Sequence, residues 1–361
     1  MTSMSNSVSS AAQISQRPTM KQVAALAGVG TKTVSRVINA EPGVSAAMYE
    51  RVTAAVRALN YQHDIYAGSL RRSDRRTLTL GLLVGSVANP FSGAVNRAVE
   101  DRASQQGIAV LAVSLDDDAA REQGLVTALL RRRVDALILT TITPNQSYLL
   151  PEMARGTPIV FVDREPAGIE ADVVVSDNAN GAANATRHLL ERGHRRIAFL
   201  GDRADIQTAR ERRRGFFDAV GELGVPTSQL IAVDNIEDEG KARSIVSELL
   251  SLADPPTAIF SGQNLITVGT IRALHEHGAQ NTTAHIGFDD LLLADLVEPA
   301  ITVISQDPAR IGTIAAERAL AQLAGDTQPF RTYVVPTRLI VRGSGEILPR
   351  VRDRWPRPQS S

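Results

Sequence analysis

The sequence contains no cysteine in 361 residues, which excludes disulfides, thiolate chemistry and cysteine-ligated zinc together. No apolar run reaches the ~18 residues that a membrane-spanning helix needs, so no membrane partner is expected. The first sixteen residues carry no charge and are rich in Ser, Ala and Asn. They lack the basic flank and apolar centre of an export signal, so the chain is expected to stay in the cytoplasm. This start is expected to be a disordered leader, and the polar stretch 349–361 a tail. Catalytic signatures are missing as well. No G-x-G-x-x-G follows the first apolar run of the body, and there is no Walker-type loop and no Gly-x-Ser-x-Gly elbow. Six histidines are scattered, and His275 and His277, two apart, do not share a helix face. Hence no catalytic residue, cofactor or metal site is expected, and the chain is not expected to be an enzyme.

Net charge is absent too, because 39 Lys and Arg balance 39 Asp and Glu. The charges are nonetheless unevenly spread. Residues 17–76 hold ten Lys and Arg against four acids, a net +6, which leaves about −6 for the remainder. A basic head on an acidic body is the asymmetry expected when one module meets phosphates and the other does not.

Residues 20–39, MKQVAALAGVGTKTVSRVIN, read as two short helices around a glycine turn. Val23, Ala24 and Ala27 share one face of the first helix, and Val34 and Val37 form the buried stripe of the second. Gly28 sits where a tight turn needs a positive φ. Thr31, Lys32, Thr33, Ser35 and Arg36 point outward and can all donate hydrogen bonds, which makes this a helix-turn-helix able to address base edges and phosphates. Thr19 with Gln22 has capping-box spacing and should start the first helix. Ser45 is the expected N-cap of a third helix, in which Met48, Val52, Ala55, Val56 and Leu59 close a three-helix core. The basic segment 60–72, interrupted by Gly68, is too short to be helical alone and should fold only against a partner.

From Leu78 onward, short apolar runs alternate with amphipathic helices. The runs at 78–85, 108–114, 135–140 and 158–163 read as buried parallel strands, with helices near 93–106, 119–132 and 146–155. A second series has runs at 172–177, 195–202, 230–234, 257–262 and 284–289. Two such series predict two doubly wound α/β lobes, with ligands beyond the carboxyl ends of the strands.

The head motifs VAALAGV (23–29), TVSRVIN (33–39), VS (44–45) and LNY (59–61) resemble the lactose/galactose repressor (LacI/GalR) family in order and spacing. In the body, NPF (89–91), VDR (162–164), GH..IAFL (193–200), R..GF (212–216), GFDD (287–290) and SQDP..IG (305–312) agree as well. The resemblance implies an α/β protein with a helix-turn-helix head at 17–62, a hinge helix and linker at 63–76, and a periplasmic-binding-protein-like core at 77–348. The first lobe of that core is expected at about 77–175 and 308–335, the second at about 176–303 and 336–348.

The resemblance also places Thr31, Lys32 and Arg36 at base-reading positions. It gives Thr19, Thr33, Ser35, Asn39, Ser45 and Tyr61 to the phosphate backbone, and makes Leu70 a minor-groove wedge. It implies an effector site of Asn89, Phe91, Asp163, Arg164, Arg212, Gln263, Asp289 and Gln306, with Arg212 and Asp289 on strand-end loops and Phe216 and Phe288 in the core. Many relatives carry Asn-Asp where this chain has Gln263-Asn264. The expected function is a DNA-binding transcriptional regulator, a repressor, acting as a homodimer on a pseudo-palindromic operator. The expected effector is a ribose-like pentose. The alternatives are a purine or nucleoside effector, or a sugar-binding transport protein, against which the basic head and the absent export signal argue.

Overall fold

The computed structural model describes residues 18–39, 41–61 and 76–349, and the chain divides into two compact units, 1–77 and 78–361. The leader, residues 17, 40 and 62 of the head, residues 63–75 of the hinge with Leu70, and residues 350–361 of the tail lie outside the described residues.

The first unit holds α1 (Met20–Ala27), α2 (Thr31–Ile38) and α3 (Ala46–Ala58). Thr19 and Gln22 form the capping box, Gly28 ends α1 in the left-handed region at φ 63°, and Ser45 caps α3 by accepting from the Met48 N–H. Val23, Ala24, Ala27, Val34, Val37, Val52 and Ala55 make the core, with Val56 and Leu59 packed beside it. Met48 is an exception to the sequence reading. It is exposed, because the first turn of α3 projects beyond the small area that two eight-residue helices can cover.

The second unit contains two six-stranded sheets. The strands are β1 (Thr79–Val84), β2 (Ala109–Ser114), β3 (Ala136–Leu139), β4 (Ile159–Val162), β5 (Asp172–Ser176), β6 (Ile197–Leu200), β7 (Ile231–Val233), β8 (Ala258–Ser261), β9 (Ala284–Phe288), β10 (Thr302–Ser305), β11 (Thr332–Val335) and β12 (Arg338–Ile340). The first sheet runs β11-β5-β4-β3-β1-β2, and the second β12-β10-β9-β8-β6-β7. Every pairing is parallel except β10 with β12. The helices are α4 (Pro90–Ser104), α5 (Ala119–Arg131), α6 (Leu150–Ala154), α7 (Asn178–Glu191), α8 (Gln207–Glu222), α9 (Glu239–Leu250), α10 (Asn264–Glu276) and α11 (Pro308–Leu323). Each sheet is buried on both faces, with separate apolar clusters above and below it. That is the pattern of a doubly wound sheet, so the α/β fold class read from the alternation stands.

Three details differ from the sequence reading. The alternation puts the run at 172–177 in the second series, but β5 lies in the first sheet between β4 and β11. The apolar run at 108–114 predicts a buried strand, yet β2 is half-buried to exposed along its length, because it is an edge strand. The sequence pattern gives no sign of β10, β11 and β12, since each is three or four residues long and shows little periodicity. The chain passes between the sheets after β5, after β10 and after β11. Close helix packing fixes two of these crossovers. A Cβ on Gly215 of α8 would lie 2.0 Å from the Ala179 carbonyl oxygen on α7, and one on Gly312 of α11 would lie 2.5 Å from the Val95 carbonyl oxygen on α4.

Candidate functional site

In the head, α2 turns Val34 and Val37 inward and leaves Thr31 and Lys32 exposed, with Thr33, Ser35 and Arg36 half-buried beside them. Arg36 folds back onto the following loop. Its Nη2 donates to the Pro42 carbonyl at 2.5 Å, and its Nε lies 3.7 Å from Glu41. Thr19 and Ser45 are helix caps whose oxygens accept backbone N–H groups. Asn39 closes α2 and donates to Ser35 Oγ at 3.4 Å, while Tyr61 packs on the head core.

In the body, a cavity of about 350 Å³ is lined by residues that follow the carboxyl ends of strands in both sheets. Asn89, Phe91, Asp163, Arg164, Arg212, Gln263, Asp289 and Gln306 all line it. Asn89 is the N-cap of α4 and accepts from the Phe91 N–H at 3.0 Å. Asp163 and Asp289 immediately follow β4 and β9, each with left-handed φ, 69° and 75°, so both carboxylates leave their strands with the same turn. Gln263 caps α10, and Gln306 donates to Asp289 Oδ1 at 2.5 Å.

Arg212 corrects an expectation, because it stands in the second turn of α8 and not on a strand-end loop. It is 6% exposed. Its Nε donates to Asn178 Oδ1 at 2.8 Å and its Nη1 to the Gly262 carbonyl at 2.9 Å. The guanidinium lies 3.8 Å from the centre of the Phe288 ring, a cation–π contact that holds it flat. Phe288 and Phe216 are fully buried in the core, as read.

Arg164 sits between two carboxylates, donating to Asp117 Oδ1 at 2.9 Å and lying 3.5 Å from Asp163. Desolvation raises the Asp163 carboxyl above the usual aspartate range. Arg164 and Arg212 oppose this, and the negative charges of Asp289 and Asp117 add to it. Asp202 is raised as well, chiefly by burial, against the Arg203 N–H and the Arg212 charge. Three buried atoms of the lining have no hydrogen-bond partner among the described residues: Arg164 Nε, Asn264 Oδ1 and Gln306 Oε1. The cavity therefore offers forked donors, carboxylate acceptors, two amide acceptors and one aromatic face, a chemistry that suits vicinal hydroxyls.

The family models match both parts of the chain. "Bacterial regulatory proteins, lacI family" matches residues 19–64, and "Periplasmic binding protein-like domain" matches 186–345. The chain is 34% identical over 90% of its length to the HTH-type transcriptional regulator GalR of Salmonella typhimurium (strain SL1344), covering 95% of that protein. The chain belongs to the LacI family of bacterial regulatory proteins. The ribose operon repressor of Escherichia coli (strain K12) is 32% identical, over 90% of this chain and 99% of that one. Among solved structures, a lac repressor dimer bound to operator and the anti-inducer ONPF aligns with TM-score 0.81 at 25% identity, over 91% of this chain and 99% of that one. A LacI-family regulator from Enterococcus faecium with bound ribose aligns with TM-score 0.69 at 25% identity, over 75% of this chain and 99% of that one.

This LacI-family chain is thus a helix-turn-helix transcriptional regulator. Sequence reasoning missed Asp117, Asp202, Arg203 and Asn264 as cavity residues. All four lie within three residues of a strand's carboxyl end. A search of every strand end, in place of the family motifs alone, finds all four.

Proposed function

We propose that this regulator is a repressor that binds a pseudo-palindromic operator as a homodimer, and that a ribose-like pentose in the 350 Å³ cavity sets its operator affinity. The proposed boundaries are those read from the sequence, with the head at 17–62, the hinge at 63–76 and the two-lobed core at 77–348. The observation that carries the effector reading is convergence. Eight residues spread from Asn89 to Gln306 line one cavity, with Arg164 and Arg212 as donors and Asp163 and Asp289 as acceptors. Phe91 is the one aromatic residue among the described lining residues. A single apolar wall suits one face of a sugar ring, whereas a purine is better held between two stacked faces. The ribose-bound neighbour and the ribose operon repressor support the same ligand class.

For the head, the reading gives base contacts to Thr31, Lys32 and Arg36. Thr19, Thr33, Ser35, Asn39, Ser45 and Tyr61 go to phosphates, and Leu70 to the minor groove. Arg36 would exchange its Pro42 and Glu41 partners for a guanine edge. Operator affinity should fall steeply with salt, because a +6 head releases several counterions.

The test is calorimetric titration of the full chain with D-ribose and with a purine nucleoside, beside a gel shift on the operator with and without each compound. Heat from ribose and a changed shift support the pentose. Heat from the nucleoside alone replaces the pentose with a purine-type effector.

A further inference from the structure

Asn264 is the first residue of α10, 4% exposed, and belongs to the lobe of the second sheet. Its Nδ2 donates across the cavity to Asn89 Oδ1 at 2.8 Å, and Asn89 caps α4 on the first lobe. The same Asn89 oxygen accepts from the Phe91 N–H at 3.0 Å. That backbone donor fixes the orientation of both amides. Asn89 must present oxygen, so Asn264 must present nitrogen. Asn264 Oδ1 then faces away from Asn89, buried and without a hydrogen-bond partner among the described residues. Three further bonds join the lobes. Arg203 Nη1 donates to the Asp117 carbonyl at 2.8 Å, the Glu165 N–H donates to Gln207 Oε1 at 2.8 Å, and Gln207 Nε2 donates to Glu165 Oε2 at 3.5 Å. All three use less buried side chains. The Arg203–Asp117 bond also lies in the cavity wall, but its acceptor is a backbone carbonyl, and among these bonds only that of Asn264 joins two side chains of the wall.

We propose that Asn264 couples the reading of the effector to closure of the two lobes. Its donor and its acceptor share one rigid amide plane, so they turn together. An effector hydroxyl that donates to Asn264 Oδ1 holds the plane in the orientation in which Nδ2 meets Asn89. With the lobes apart, Asn89 keeps its Phe91 partner while Asn264 loses both of its own. The effector consequently favours the closed arrangement through this residue, which is the differential contact that a population shift requires. This inference rests on the cavity being the effector site, and its ligand class is a neutral molecule with a hydroxyl donor.

The variant that tests it is Asn264→Asp. A carboxylate keeps the shape and the acceptor but has no hydrogen to give Asn89, so two oxygens meet face to face. Because the chain has no cysteine, Val87→Cys and Ala204→Cys introduce a unique label pair at exposed loops after β1 and β6. Pulsed electron resonance on the full chain then reads the distance between the lobes, without ligand and with D-ribose. The expected result for Asn264→Asp is a population moved to longer distances, with D-ribose affinity about tenfold weaker. Asn89→Ala, which removes the acceptor from the other lobe, should move the distances in the same direction. Gln207→Ala, at the rim, should move them less. Unchanged distances in Asn264→Asp, or an equal shift in Gln207→Ala, overturns the proposal. If the parent chain gives no heat with D-ribose, the pentose reading falls, and the ligand-free distances alone decide the role of Asn264.

Discussion

Asp163 and Asp289 follow equivalent strands, each third from the edge of its sheet, and leave them with nearly the same left-handed φ. Their surroundings differ. Asp163 has a guanidinium from its own neighbour, Arg164, while Asp289 has the Gln306 amide from the crossover after β10. The cation of the second lobe comes from farther away, from Arg212 on α8. The lobes also bury opposite kinds of titratable group. The first buries Glu122, whose carboxylate accepts from the Ile142 and Thr143 N–H groups, the Thr143 hydroxyl and the Tyr148 hydroxyl, at 2.7–2.9 Å. Burial penalises that anion, but the hydrogen bonds win and its pKa is lowered. The second lobe buries His285 and His194, which burial pushes down to about 3 and about 4. One strand order therefore carries two electrostatic designs. Topology fixes where charges emerge, and local partners decide which form is stable.

The largest effect expected is at the α7–α8 crossing of the second lobe. Gly215→Ala places a methyl 2.0 Å from a backbone oxygen, so the helices must part. The expected loss is on the order of 3 kcal/mol or more, read by denaturant unfolding. Gly312→Ala, the counterpart on the first lobe at 2.5 Å, should cost less. Equal costs would remove the contrast.

Arg212→Ala comes next. It leaves Asn178 Oδ1 and the Gly262 carbonyl without their guanidinium donors, at a cost of about 2 kcal/mol, and should abolish effector binding. Asp289→Ala should abolish effector binding with a smaller stability loss, since the one described partner of its side chain is Gln306, and its N–H keeps the Ile304 carbonyl as acceptor. Calorimetry beside thermal unfolding separates the two outcomes. Both variants should keep operator binding when no effector is present.

Acid should then distinguish the lobes. A histidine with a folded pKa of about 3 or 4 and an unfolded value near 6.5 stays neutral in the fold while the unfolded chain takes up protons. Its stabilising contribution is complete above about pH 6.5 and shrinks as pH falls, by about 2 kcal/mol per histidine at pH 5. The Glu122 contribution is lost only on passing below its unfolded value of 4.5. Hydrogen exchange at pH 5 should accordingly show the second sheet opening before the first, and His285→Gln should flatten the pH dependence. Simultaneous opening would remove the contrast. The smallest effect is expected in the head, where Thr19→Ala breaks the capping box and should cost about 1 kcal/mol. Its readout is helicity of the head, with the melting of the body unmoved.

Much of this was legible in the chain because its causes are local. The capping box at Thr19, the turn at Gly28 and the stripe of Val34 and Val37 each depend on residues within one helix turn. The strand runs of the body were legible for a related reason, since strands covered on both faces must be continuously apolar. Less legible were β10, β11 and β12, which are too short for periodicity to register, and the membership of β5, which depends on the long crossover to β11. At the cavity, motif spacing picked out Asp163 and Asp289. Nothing in the spacing showed that Arg212 reaches in from a helix face, or that Asn264 meets Asn89.

The sequence by itself determined a basic three-helix head, an α/β body of two wound series and the chemical types available to a ligand. Those properties follow from periodicity, capping and composition, which act over a few residues. Only the tertiary structure decided which side chains share the cavity, which of them are already committed to each other, and which buried atoms remain without partners. Such pairings join residues as far apart as Asn89 and Asn264, and they exist only once two sheets have folded and the chain has crossed between them three times.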